Sequence, residues 1–253
     1  MVLTLYYETL SSPSRAVIAF LELAKIPHEK KHISVLKGET KSAEYLKINP
    51  KGLVPAIDDD GFVVWEHEAI LKYLAATRKG PNTEAYYPDD VKIRTFINQY
   101  YAFHHASVRP NIINYFFGVN GLLPAGTFNQ EEARKKIEET LKNFDSIYLK
   151  DKKYITGDKI SIADFSASNE ILQVYLGSDI DFSKFPRVKA YLERCLENPV
   201  IGATNKPVKE FVQQLNAQKA AVKVVAQEKK VSTFGRIFGC FGGSKRASKA
   251  PAS

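Results

Sequence analysis

The feature that most constrains this chain is a change of hydrophobic period part-way along it. Residues 1–80 alternate short strand-like runs with helical ones, whereas strand patterns disappear beyond the polar, proline-punctuated stretch KGPNTEAYYPD at 79–89. A chain patterned this way folds as a mixed α/β domain followed by an all-helical one. We place the first over 1–80, the second over 90–205, and a basic C-terminal tail over 206–253.

Leu3, Leu5 and Tyr7 share one face of a first strand. Ser12 then reads as an N-cap with Pro13 at the first helical position, and Ala16, Val17, Phe20 and Leu21 form an apolar stripe ending near Lys25. Further strands are predicted at 28–35, 54–58 and Phe62–Trp65, the last leading into a helix with Ile70, Tyr73 and Leu74 inward. The order is β-α-β, then β-β-α. In the second part, Ile93, Ile97, Tyr100 and His104 share a helical face, and Ile137, Leu141, Phe144 and Tyr148 share another that starts at Asn129. Ser161-Ile162-Ala163-Asp164 has capping-box spacing, with Asp in the place usually held by Glu, and predicts a buried helix carrying Phe165, Ile171, Leu172 and Tyr175.

Charge excludes one class of function. The net charge is +8, but 206–253 holds 10 of the 36 basic side chains and 2 of the 28 acidic ones, leaving 26 of each in the body. A neutral body offers no extended basic stripe, so no nucleic-acid partner is expected. Cys195 and Cys240 match no metal-ligand spacing and are expected to be reduced. No run reaches the roughly 18 apolar residues of a membrane span, and the N-terminus lacks a signal-peptide pattern. A cytoplasmic protein is expected.

Four ordered motifs carry a family resemblance. Leu10-Ser11-Ser12-Pro13-Ser14-Arg15-Ala16-Val17 after the first strand, Lys37-Gly38-Glu39-Thr40-Lys41-Ser42, Ile48-Asn49-Pro50-Lys51-Gly52-Leu53-Val54-Pro55 and Glu66-His67-Glu68-Ala69-Ile70 resemble theta-class glutathione transferases in order and spacing. The helical part is similar to the family at Gly157-Asp158 and Ile160-Ser161-Ile162-Ala163-Asp164, so the likeness covers about 1–205. It implies a thioredoxin-like N-terminal domain and the all-helical glutathione-transferase C-terminal domain, acting as a homodimer. The implied reaction is attack of the glutathione thiolate on a small hydrophobic electrophile such as an alkyl halide or sulfate ester, with hydroperoxide reduction as a further activity. Glutathione is a co-substrate, and no cofactor or metal is implied.

The resemblance also assigns roles. Ser11 is implied to activate the thiol, although spacing leaves Ser11 and Ser12 both open and a serine before Pro13 also suits a helix cap. Val54 precedes an implied cis-Pro55, where its backbone pairs with the cysteinyl part of glutathione; Glu66 faces the γ-glutamyl ammonium, and His67 stands where a serine usually holds its carboxylate. Thr40 and Lys41 fall at the glycyl end, with Thr40 replacing a common histidine and Leu53 a common lysine. Arg109 resembles an arginine that points toward the thiolate, but it also suits a surface helix before Pro110. Segment 107–123, with Tyr115, Phe116 and Phe117, is the implied electrophile wall or simply core. His104 and His105, being adjacent, lie on different helix faces and make a poor metal pair.

The departures at Thr40, Leu53 and His67 keep a second class open, a non-catalytic interaction module on the same fold. Beyond 206, Phe211, Leu215, Val222 and Val225 continue a helical stripe before the chain turns to Gly, Ser and Lys and reads as disordered over its final dozen residues. Phe234, Ile237, Phe238 and Phe241 beside Arg236, Lys245, Arg246 and Lys249 suit weak contact with an acidic membrane surface, with Cys240 open to acylation; a solubilising tail is the plainer reading.

Overall fold

The structure is a computed structural model and describes residues 3–221. Residues up to Val212 form one compact unit and those from Gln213 a second; of the second, 213–221 are described and are helical. The expectations for Val222, Val225, Phe234, Ile237, Phe238, Cys240, Phe241 and the basic residues among them lie outside the described residues.

The first part is built on a four-stranded sheet of order β2-β1-β3-β4, formed by β1 (Leu3–Tyr7), β2 (His28–His32), β3 (Ala56–Asp59) and β4 (Phe62–Trp65). β1 pairs parallel with β2 and antiparallel with β3, which pairs antiparallel with β4. A parallel pair needs a crossover, and α1 (Ser12–Leu23) supplies it; α2 (Ala43–Ile48) and α3 (His67–Thr77) complete this part. The inward set Leu3, Leu5, Val17, Phe20, Leu21, Ile57, Ile70 and Leu74 is buried as its periodicity predicts.

Local chemistry moved several boundaries. The N-cap of α1 is Ser11, whose side chain accepts from Ser14 N, and not Ser12. β2 stops at His32, short of the predicted residue 35, because the amides of Ser34 and Val35 are taken by the Glu39 and Glu8 carboxylates. β3 starts two residues late because Pro55 has no N–H for a ladder; the Val54–Pro55 bond is cis. Tyr73 is half-buried, its hydroxyl donating to Asp59 Oδ2 at 2.7 Å. Helix α2, capped by Ser42 on Tyr45 N, was not predicted. Near the unit's end the buried positions are Val208 and Val212, while Phe211 is half-exposed.

From residue 81 the described chain has no strand: α4 (Pro81–Glu84), α5 (Val91–Phe103), a π-helical turn His104–Val108, α6 (Arg109–Val119), α7 (Gln130–Asn143), a second π turn Phe144–Tyr148, α8 (Ile162–Gly177), α9 (Pro186–Glu197) and α10 (Pro199–Thr204). Asn129 caps α7 by accepting from Glu132 N, and the Ser161–Asp164 capping box forms as its spacing predicts. α8 runs through the centre and packs on α1, α6 and α9. Its Gly177 lets Phe116 approach, since a Cβ there would meet Phe116 Cε2 at 2.5 Å. The Phe116 ring is buried and has nowhere to go, so Gly177→Ala is expected to cost roughly 1–3 kcal/mol, read as a lowered denaturation midpoint at unchanged slope.

Candidate active site

Strand direction gathers the predicted residues. Tyr6 opposes Ala56 and Ala56 opposes Trp65, so the end of β1, the start of β3 and the end of β4 meet at one edge of the sheet. From that edge emerge the turn carrying Ser11, the Val54–Pro55 segment, and the Glu66–His67 entry to α3. Residues far apart in sequence thereby face one region.

The Ser11 turn is held from below. Ser11 N donates to Glu8 O at 3.1 Å, and its hydroxyl accepts from Ser14 N at 3.4 Å but donates to no partner among the described residues. Ser12 differs, because its hydroxyl donates to Glu170 Oε2 at 2.6 Å. Beneath the turn the fully buried Arg15 donates to the carbonyls of Thr9 and Leu10 at 3.2 and 2.7 Å, to Asn169 through Oδ1 and O, and to Asn205 Oδ1. Burial brings this guanidinium down to about 10 against the attraction of Glu170, leaving it charged at neutral pH. On the other side, burial would raise the Glu8 carboxyl, but His32, Val35 N, Leu10 N and Thr9 all donate to it and hold it below the ordinary value.

The segment before Pro55 is equally fixed. Lys41 Nζ donates to the carbonyls of Lys51 and Gly52 at 3.1 and 3.2 Å, while Tyr45 Oη and Asn49 Nδ2 both donate to Leu53 O at 2.7 Å. Gly52 has φ +61°, and a Cβ there would stand 2.6 Å from the Thr40 carbonyl, so glycine is required. Thr40 is buried and Leu53 points outward, 57% exposed. Val54 makes no backbone hydrogen bond among the described residues.

Glu66, the N-cap residue of α3, sits at φ +71°, a strained region for a residue with a Cβ. The amides that follow open the helix and lack intrahelical acceptors, which suits an anion. His67 turns its ring inward among Tyr101, His104 and His105 and is only 4% exposed. Burial above all, then His104 and Arg109, hold it well below the ordinary imidazole value, so it is neutral. It therefore neither obstructs that edge nor offers its ring there; its backbone N–H remains. Burial also lowers His104 to about 3, with Tyr100 Oη 3.0 Å from Nδ1, and raises Glu68 to about 8. His105 Nε2 lies 2.8 Å from Glu68 Oε1, in ion-pair range but off hydrogen-bond direction. Among the described residues no group of three or more His, Cys, Asp or Glu is placed to hold a metal ion.

Arg109 opens α6 directly after the first π turn, an irregularity frequent at functional sites. Its Nη1 donates to Glu170 Oε2 at 2.8 Å and to Ser12 Oγ at 3.4 Å. Tyr115 and Phe116 belong to the core, Tyr115 Oη donating to Asp179, and only Phe117 of the three predicted wall aromatics keeps exposure. Burial raises the Cys195 thiol, an inert core group. Among the described residues no helix is long and apolar enough to cross a membrane.

Sequence reading missed Glu8, Arg15, Asn169, Glu170 and Asn205. The signal available was weak and bears only on Asn169 and Glu170: Ser166, Ser168, Asn169, Glu170 and Gln173 interrupt an otherwise apolar helix.

Comparison with known proteins gives the family. The glutathione S-transferase N-terminal domain matches residues 10–77 and the C-terminal domain of the same family residues 108–199. Glutathione S-transferase 1 of Manduca sexta is 31% identical over 225 residues, 87% of this chain and 99% of that protein. Mouse glutathione S-transferase theta-1 is 32% identical, over 77% of this chain and 82% of its own. A human theta-class glutathione transferase, solved with the glutathione conjugate of 1-menaphthyl sulfate, superposes with a TM-score of 0.76 at 27% identity, covering 87% of this chain and 92% of that one. With both domains matched, relatives similar along nearly their whole length and a thioredoxin-like sheet followed by helices, this chain belongs to the glutathione S-transferase family and is theta-like within it.

Proposed function

We propose that this chain joins glutathione to small hydrophobic electrophiles at the edge of the sheet where β1, β3 and β4 meet. The observation that carries the reading is the set of uncommitted groups there: the Ser11 hydroxyl proton, the Val54 backbone and the first amides of α3. Each suits one part of the tripeptide. Val54 pairs with the cysteinyl backbone in extended form, Glu66 takes the γ-glutamyl ammonium, and the α3 amides, His67 N–H included, take its carboxylate. Lys41 and Thr40 lie at the glycyl end, with Lys41 already shared by two carbonyls.

Ser11 donates to the sulfur. An ordinary thiol ionises near 8.5, and one hydrogen bond to a charged acceptor, worth about 1.5–3 kcal/mol, brings roughly a ten- to hundredfold gain in thiolate. The thiol proton passes to solvent. The thiolate then attacks the electrophilic carbon, the C–S bond forms, and the leaving group departs with its bonding pair as an anion that Arg109 stabilises. Reduction of hydroperoxides is the further activity: the thiolate takes the terminal peroxide oxygen as the O–O bond breaks and the alcohol leaves, and a second glutathione condenses with the resulting sulfenic acid to give glutathione disulfide and water. Homodimerisation and a cytoplasmic setting accompany this reading by family likeness.

The test is an ultraviolet titration of the purified protein with glutathione. Thiolate absorbance appearing at neutral pH and saturating with glutathione is expected. Absence of saturable binding sinks the proposal and leaves the interaction module.

A further inference from the structure

Glu170 lies in the middle of α8, 1% exposed, with every side-chain oxygen engaged. Oε2 accepts from Ser12 Oγ at 2.6 Å and Arg109 Nη1 at 2.8 Å, and Oε1 lies 3.4 Å from Gln173 Nε2. The carboxylate thus joins α1, α6 and α8 at one point. Two consequences follow from the donor inventory. Ser12 has one hydroxyl proton, and Glu170 takes it, so of the neighbouring serines Ser11 keeps its proton. Arg109 spends Nη1 here; its remaining N–H groups make no hydrogen bond among the described residues, and its side chain stays 31% exposed. A guanidinium anchored through one nitrogen is oriented without being used up. Two guanidiniums, Arg109 and the buried Arg15, also look to this one carboxylate.

We infer that Glu170 is a positioning residue of the proposed transfer, holding Arg109 where the departing anion forms. The inference rests on the function proposed above. Two effects of the carboxylate oppose each other. Its charge weakens the field of Arg109, while its hydrogen bond removes the rotamer freedom of a long side chain. Stabilisation of a developing charge depends on donors already in place, and an unanchored arginine must order itself during the step, so anchoring prevails.

A double-mutant cycle with a benzyl halide and glutathione decides. Arg109→Ala and Glu170→Gln are each expected to lower kcat by about tenfold with the KM for glutathione little changed, and the double variant to lose no more than Arg109→Ala alone. A merely structural Glu170 would give losses that multiply, or an unchanged kcat with a lowered melting temperature, and either result overturns the inference. Should Glu170→Gln fail to fold, Glu170→Asp keeps the charge on a shorter stem; the expected loss of kcat must again vanish in the Arg109→Ala background, and its persistence there refutes the role. Wild-type protein that forms no thiolate with glutathione overturns the underlying function as well. Thiolate present with independent losses overturns only the role of Glu170.

Discussion

Ser11→Ala is expected to remove the neutral-pH thiolate signal of bound glutathione and to lower turnover by about ten- to a hundredfold, the worth of one hydrogen bond to a charged acceptor. The sign of the pH effect follows. Without Ser11 the bound thiol returns toward its ordinary value near 8.5, so the variant's rate should recover as pH rises past that point while the wild-type rate is already flat. Ser11 also caps α1 through Ser14 N, and losing that cap costs about 1 kcal/mol of stability, a small part of the roughly 5–15 kcal/mol of an ordinary folded protein. Ser12→Ala is the contrasting variant: its hydroxyl serves Glu170, so the thiolate signal should survive. Stopped-flow measurement of thiolate formation across pH separates the two, and an unaltered pH profile in Ser11→Ala would remove Ser11 from the chemistry.

Asp164→Ala carries the largest expected loss of stability, about 3–5 kcal/mol. Fully buried, Asp164 accepts from Ile155 N at 2.9 Å and from Ser161 N and Oγ at 2.8 Å each, tying the start of α8 to the preceding loop. Alanine strands all three donors away from water, at roughly 1–3 kcal/mol each, with some relief from no longer burying a charge. That burial raises the carboxyl to about 6 from 3.8 despite its hydrogen bonds. A raised acid binds its proton more tightly folded than unfolded, so its contribution is greatest below 3.8 and declines as pH rises to about 6. Asp164→Asn lacks this titration. The stability gap between wild type and Asp164→Asn should therefore narrow as pH rises through that window; urea denaturation at several pH values measures it, and a pH-independent gap contradicts the assignment.

Much of this protein is legible in its sequence because the relevant physics is local. A strand period of two, a helix period near 3.6, Asn129 three residues before Glu132 and Ser161 three before Asp164 act within a few residues, and each appears where its spacing places it. The fold class and the capped helices could be read in this way, while the grouping of the Ser11, Val54 and Glu66 motifs came from their resemblance to a family in order and spacing. Tertiary structure decided the rest. Whether Ser11 or Ser12 keeps a free hydroxyl depends on Glu170, 158 residues away, and the support of the Ser11 turn on Asn169 and Asn205, 154 and 190 residues from Arg15. His67 became a buried neutral ring because α5 and the π turn close over it. Burial and long-range pairing set donor, charge and exposure, and no local spacing records which distant helix will come to rest against a residue.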